Sequence, residues 1–101
     1  MKKFISIFAS AMLLVFMVNA NAGDAAAGKS KSSNCTGCHG MNGKSNNPSY
    51  PNLAGQKEKY LVKAIKDYRD GKRTDAMMSS MVSGLSDADI DDLAAFYSSV
   101  K

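Results

Sequence analysis

Two thiols and one imidazole fall within five residues, Cys35-Thr36-Gly37-Cys38-His39. C-x-x-C-H is the pattern by which a c-type haem is fastened to a chain. Each thiol adds across one vinyl group of the porphyrin to give a thioether, and the adjacent imidazole is held under the iron as proximal ligand. On a helical turn Cys35 and Cys38 stand at i and i+3, and Cys35 and His39 at i and i+4, so all three face one flat ring. Plainer readings use the same residues. A structural disulfide between Cys35 and Cys38 is one. A thioredoxin-like dithiol is another, but it needs a βαβ context that this pattern lacks. A zinc site takes about four N or S ligands, and the chain has two cysteines and one histidine. Haem attachment is the reading the spacing supports.

A haem held by one histidine has a second axial face. The chain has no second histidine, so bis-histidine ligation within it is excluded. A methionine thioether is the common alternative and raises the reduction potential, because soft sulfur favours ferrous iron. Beyond residue 22 the methionines are Met41, Met77, Met78 and Met81. Met41 follows His39 too closely to reach the opposite face. Spacing alone leaves Met77, Met78 and Met81 open, with packing in a small core as the plain explanation for any of them. A sixth site open to a gas or substrate is the remaining alternative.

The elements that position these groups begin after an export signal. Lys2 and Lys3 form a positive start, residues 4–18 are an apolar run, and Ala20-Asn21-Ala22 supplies an A-x-A cleavage site. Residues 1–22 are therefore expected to be a cleaved secretory signal and residues 23–101 the mature domain. The apolar run is short for a span of about twenty residues, and an uncleaved anchor is the alternative. Export fits the motif, since covalent haem attachment in bacteria is completed outside the cytoplasmic membrane. The expected location is the periplasm, with no membrane insertion after cleavage.

Residues 23–34 read as a short helix that delivers the chain into Cys35. Residues 40–55 read as a loop punctuated by Asn42-Gly43, Pro48 and Pro51, long enough to wrap one side of a haem. Over residues 56–70, Tyr60, Leu61, Ala64, Ile65 and Tyr68 form one apolar stripe opposite the lysines, and Gly71 follows as a C-terminal stop. Tyr60 and Tyr68 are expected either in the core or bonded to a haem propionate. Residues 72–84 read as irregular. Ser86 and Asp89 then announce a helix with Ile90, Leu93, Ala94 and Tyr97 on its apolar face and Phe96 beside it. No strand alternation or repeat is present, so the expected fold is all-α, three to four short helices wrapped around one haem.

The headline charge of +4 falls to +2 once Lys2 and Lys3 are removed. Two propionates bring it near zero, so charge gives no argument for nucleic acid. Seven basic residues lie between Lys57 and Arg73, and Asp87, Asp89, Asp91 and Asp92 cluster further on. Such asymmetry can steer a partner. A solvated helix face accounts for it equally well.

Taken together, these motifs resemble a class I c-type cytochrome, nearest to the small bacterial periplasmic monohaem cytochromes, which are similar to one half of the dihaem high-potential cytochromes. The resemblance covers residues 23–101. It rests on Cys35-Thr36-Gly37-Cys38-His39-Gly40, Tyr50-Pro51-Asn52-Leu53-Ala54-Gly55-Gln56, Met78-Ser79-Ser80-Met81 and Leu85-Ser86-Asp87, in that order. It implies that His39 binds iron through Nε2 while Nδ1–H donates to the Pro51 carbonyl, and that Leu53 packs on the haem. It matches Met78 to the axial methionine, with Met81 nearby, and brings Gly28 against the last helix near Phe96 or Tyr97. The doubled Met77-Met78, without the proline that often precedes the ligand, departs from the family pattern.

The function implied is one-electron transfer between redox partner proteins by a monomer with a His/Met-ligated haem c, and no enzyme activity. Lys44 and the lysines of residues 56–70 are candidate rim charges. An electron-transfer subunit of a larger oxidoreductase is the alternative, and a gas-binding haem protein is a third reading. A 79-residue domain rarely stabilises itself without a staple, and both cysteines are committed. The apo form is therefore expected to be largely unfolded, so circular dichroism of Cys35→Ala/Cys38→Ala should lack most of the helical signal of the haem-loaded protein.

Overall fold

The computed structural model describes residues 23–101, and the expected signal segment lies outside them. Five helices follow in order: α1 (Ala25–Lys31), α2 (Thr36–His39), α3 (Glu58–Arg69), α4 (Ala76–Val82) and α5 (Asp87–Ser99), with a 3₁₀ turn over Ser32–Asn34 between α1 and α2. Among the described residues there is no strand. No described helix is long and apolar enough to cross a membrane.

The all-α expectation holds, with one correction. Residues 72–84 are not irregular throughout, because α4 occupies seven of them. Asp75 caps that helix by accepting the backbone N–H of Met77 and Met78, which satisfies donors that a helix start leaves unpaired. α5 starts as its sequence implies. Ser86 and Asp89 exchange side-chain bonds with each other's backbone N–H in a complete capping box.

α5 is the spine of the domain. Ile90, Leu93, Ala94, Phe96 and Tyr97 are buried along it, and Leu61 of α3 joins Leu93, Ala94, Phe96 and Tyr97 in the central cluster. α1 crosses α5 almost backbone to backbone. A Cβ on Gly28 would lie 1.9 Å from the Asp92 carbonyl oxygen and 2.8 Å from Phe96 Cβ, so only glycine permits the approach. Gly23 repeats the arrangement against Asp91.

Ion pairs hold the same helices from outside. Lys31 Nζ donates to Asp89 at 2.9 Å and to Asp92 at 2.5 Å, and Asp92 also accepts the Asp24 N–H at 2.8 Å. Arg69 at the end of α3 reaches Asp70 at 2.9 Å, Asp87 at 2.7 Å and the Leu85 carbonyl at 3.2 Å. Asp87, Asp89 and Asp92 are thus each paired with a cation of another helix, although the Asp87 side chain stays 69% exposed.

These contacts have two consequences. Gly28→Ala should destabilise the domain by about 1–3 kcal/mol, the cost of overpacking a tight contact, read as a lowered midpoint in thermal unfolding. The second concerns pH. The Lys31 ammonium and the Ser86 bonds hold Asp89 down, from 3.8 to about 2, while bonds to Asp92 and Asp89 raise Lys31 above 10.5. A lowered carboxylate stabilises the fold above its unfolded value and loses that contribution as pH falls through the folded one; a raised amine does the reverse. Stability from this clamp is therefore complete between about pH 4 and pH 10 and declines toward pH 2 on the acid side. Unfolding midpoints of Lys31→Met measured across that acid window should fall less steeply than those of the parent chain.

Candidate functional site

Cys35 ends the 3₁₀ turn and immediately precedes α2, and the His39 N–H returns to its carbonyl at 2.9 Å. One helical turn therefore carries Cys35, Cys38 and His39. Cys35 and Cys38 are not bonded to each other, so the disulfide alternative is not formed. Among the described residues no three His, Cys, Asp or Glu side chains gather as a metal site, which leaves the zinc reading without a ligand set. Before any attachment, burial pushes the Cys35 thiol up.

After His39 the chain must turn sharply. Gly40, at φ 83°, ends α2, and a Cβ there would meet the Lys44 carbonyl oxygen at 2.1 Å. The loop of residues 40–55 is pinned at several points. The Gly43 carbonyl accepts the Leu53 N–H at 2.7 Å and the Ala54 N–H at 3.1 Å, and the Gly55 N–H donates to the Tyr97 carbonyl at 2.9 Å. Asn52 Oδ1 accepts the Ser45 N–H at 2.7 Å.

That pinning brings the Pro51 carbonyl within 2.8 Å of His39 Nδ1. A carbonyl only accepts, so Nδ1 carries the proton and Nε2 keeps its lone pair. The imidazole is buried, and Tyr50 meets its ring in a tilted edge contact with centroids 6.4 Å apart.

His39, Cys35 and Cys38 form one wall of a cavity of about 440 Å³, well within the range of cofactor sites, roughly 300–1,000 Å³. Leu53, Leu61, Ile65, Leu85 and Leu93 supply apolar lining, and Asn34, Asn52, Gln56 and Arg73 polar groups. Met77, Met78 and Met81 all line it from α4. Met77 and Met81 are half exposed, at 52% and 50%; Met78 is more enclosed. The donor set suits a flat, largely apolar group with a soft metal at its centre and acidic substituents at its edge. A c-type haem fits that description.

Tyr60 and Tyr68 both line the cavity and belong to neither the buried core nor its cluster. The core reading of these two tyrosines is therefore corrected. Arg73 lies over the Tyr68 ring at 4.5 Å, a cation–π contact. Three participants were not foreseen: Asp75, which fixes the start of α4; Gly43, whose missing Cβ makes room for the Tyr97 ring; and the Tyr97 side chain as part of the cavity wall. An N-cap Asp ahead of Met77, Met78, Met81 and Val82 at helical spacing was the available signal for the first. The other two are long-range contacts with no local signature.

An all-α domain with a Cys-Cys-His turn beside an apolar cavity, and methionines lining that cavity from a separate helix, is a haem-binding domain of the c type. Residues 25–101 match the family described as cytochrome c, and the chain belongs to it. It carries one haem c with its iron, joined covalently through Cys35 and Cys38. The chain is 54% identical over 81 residues to cytochrome c-554(548) of Halomonas halodenitrificans, covering 77% of this chain and 98% of that protein. It is 50% identical over 80 residues to cytochrome c4 of Pseudomonas aeruginosa, covering 79% of this chain and 40% of the relative's length. The crystal structure of reduced recombinant cytochrome c4 from Pseudomonas stutzeri superposes with a TM-score of 0.76 at 43% identity, over 79% of this chain and 47% of that one. The chain thus spans about half or less of the cytochrome c4 proteins it resembles.

Proposed function

We propose that residues 23–101 form a periplasmic one-electron carrier, exported by a signal over residues 1–22, in which His39 Nε2 and Met78 Sδ would hold the haem iron. The observation that carries this reading is the commitment of His39 Nδ1–H to the Pro51 carbonyl at 2.8 Å, on a cavity that a methionine helix also lines. Bound there, the haem supplies one-electron exchange between ferric and ferrous iron, at a potential raised by thioether ligation.

The chain's own residues do the rest. The Pro51 carbonyl orients the imidazole and sets its basicity. Asp75 fixes the first turn of α4 through the N–H groups of Met77 and Met78, at 3.1 and 2.9 Å, which holds Met78 in register with the cavity. The greater enclosure of Met78 over its two neighbours supports it as the ligand, and Leu53 and Leu61 keep water from the ring. With His39 and Met78 both committed to the iron, the group would exchange electrons with little rearrangement of the chain and would offer no site to a substrate. The protein acts as a carrier and not as an enzyme.

Its partners are redox proteins met through small, weak, quickly released contacts, and the chain itself works as a monomer. Exposed Lys44, Lys57 and Lys59 supply rim charge, whereas Lys63 is engaged by Asp67 at 2.5 Å.

The absorption spectrum tests the ligand set. The oxidised protein should show a weak far-red sulfur-to-iron band, and the reduced protein should ignore carbon monoxide. Met78→Ala should lose the band and take up carbon monoxide, while Met77→Ala and Met81→Ala keep the parent behaviour. Ready carbon monoxide binding by the parent protein would mean an open sixth site and a ligand-binding function.

A further inference from the structure

Tyr97 is 1% exposed, yet its hydroxyl is a buried side-chain polar atom without a hydrogen-bond partner. Such groups are rare in folded proteins and call for an explanation. The ring is locked. Phe96 packs on it with centroids 4.9 Å apart, and a Cβ on Gly43 would lie 2.7 Å from Tyr97 Cδ1. The side chain lines the cavity, and the polar groups that face its hydroxyl are the Cys35 thiol and the Ser32 hydroxyl. Ser32 is already engaged, since its Oγ donates to the Lys29 carbonyl at 2.7 Å. Burial raises the phenol above its ordinary range, so it keeps its proton at any physiological pH.

Chemistry at Cys35 changes what that proton can do. A thiol can both donate and accept weakly. A thioether sulfur has no hydrogen and can only accept. Attachment therefore turns an ambiguous pair into one with a fixed direction, in which the sulfur accepts and the Tyr97 hydroxyl, buried and unpartnered among the described residues, is the donor.

We propose that the Tyr97 hydroxyl is the hydrogen-bond donor to the Cys35 sulfur in the haem-loaded protein, making Tyr97 a positioning residue for the first attachment point. This rests on the haem-attachment reading. By withdrawing electron density from the sulfur, the bond favours the reduced, more electron-rich state. Tyr97→Phe keeps the ring and its packing and removes only the donor.

The test uses haem-loaded protein, with mass spectrometry confirming covalent attachment. Tyr97→Phe should keep its helical content, and its reduction equilibrium constant should fall by at most the worth of one hydrogen bond, about two- to tenfold. In the parent protein the Cys35 carbon–sulfur stretch, followed by resonance Raman, should shift when H₂O is replaced by D₂O; in Tyr97→Phe it should not. Ser32→Ala should leave the potential unchanged. A deuterium-insensitive band in the parent protein, or an equal fall in Ser32→Ala, overturns the assignment. The parent band decides the matter even if Tyr97→Phe fails to fold. Parent protein without haem by mass overturns the attachment reading and this one with it, whereas haem present with an insensitive band overturns the donor role alone.

Discussion

Where Gly28 meets Asp92, two helix backbones come as close as side-chain-free packing allows, and the rest of the structure depends on that contact. It fixes α1 on α5, and α1 leads through a single 3₁₀ turn to Cys35. The thiols and the imidazole are thereby placed relative to Tyr97 and Leu93 without any long side chain bridging the gap. Lys31 and Asp92 reinforce the crossing from the solvent side, where ion pairs add less than packing does. The order of importance is steric first and electrostatic second.

The loop of residues 40–55 solves a different problem. A buried imidazole needs a partner for Nδ1–H, and a backbone carbonyl serves only if the backbone carrying it is held still. Glycines at 40, 43 and 55 adopt left-handed φ values that turn the chain, and the hydrogen bonds to Gly43 and Tyr97 then immobilise it. Irregular structure here is as strongly specified as helix, but by turn geometry in place of periodicity. α4 repeats the logic on a smaller scale, with one aspartate deciding where a seven-residue helix begins.

What could be read from the sequence followed from range. The Cys-Cys-His turn, the Ser86–Asp89 capping box and the apolar stripe of α5 are local patterns, and each was legible from residues within a turn or two. α4 was marked by Asp75 and by the spacing of Met77, Met78, Met81 and Val82, but its seven residues hold barely two turns of that period, too few to stand out from a loop. The resemblance to a known family supplied the Pro51 and Gly28 contacts, which no spacing rule yields. Other features depend on residues distant in sequence: the capture of Asp89 and Asp92 by Lys31, the reach of Arg69 to Asp87, and the room Gly43 leaves for Tyr97. Charge patterning alone treated those aspartates as a surface cluster, since it carries no information about which cations fold back onto them.

The crossing of α1 and α5 also dictates an order of events. Its halves, Gly28 and Asp92, lie near opposite ends of the described residues, and ribosomes make the first long before the second. Cys35 and Cys38 consequently exist for most of synthesis without the helix that will wall them in. Leu93 and Tyr97 of α5 line the cavity, so its wall is complete only once that contact between distant parts of the chain has formed.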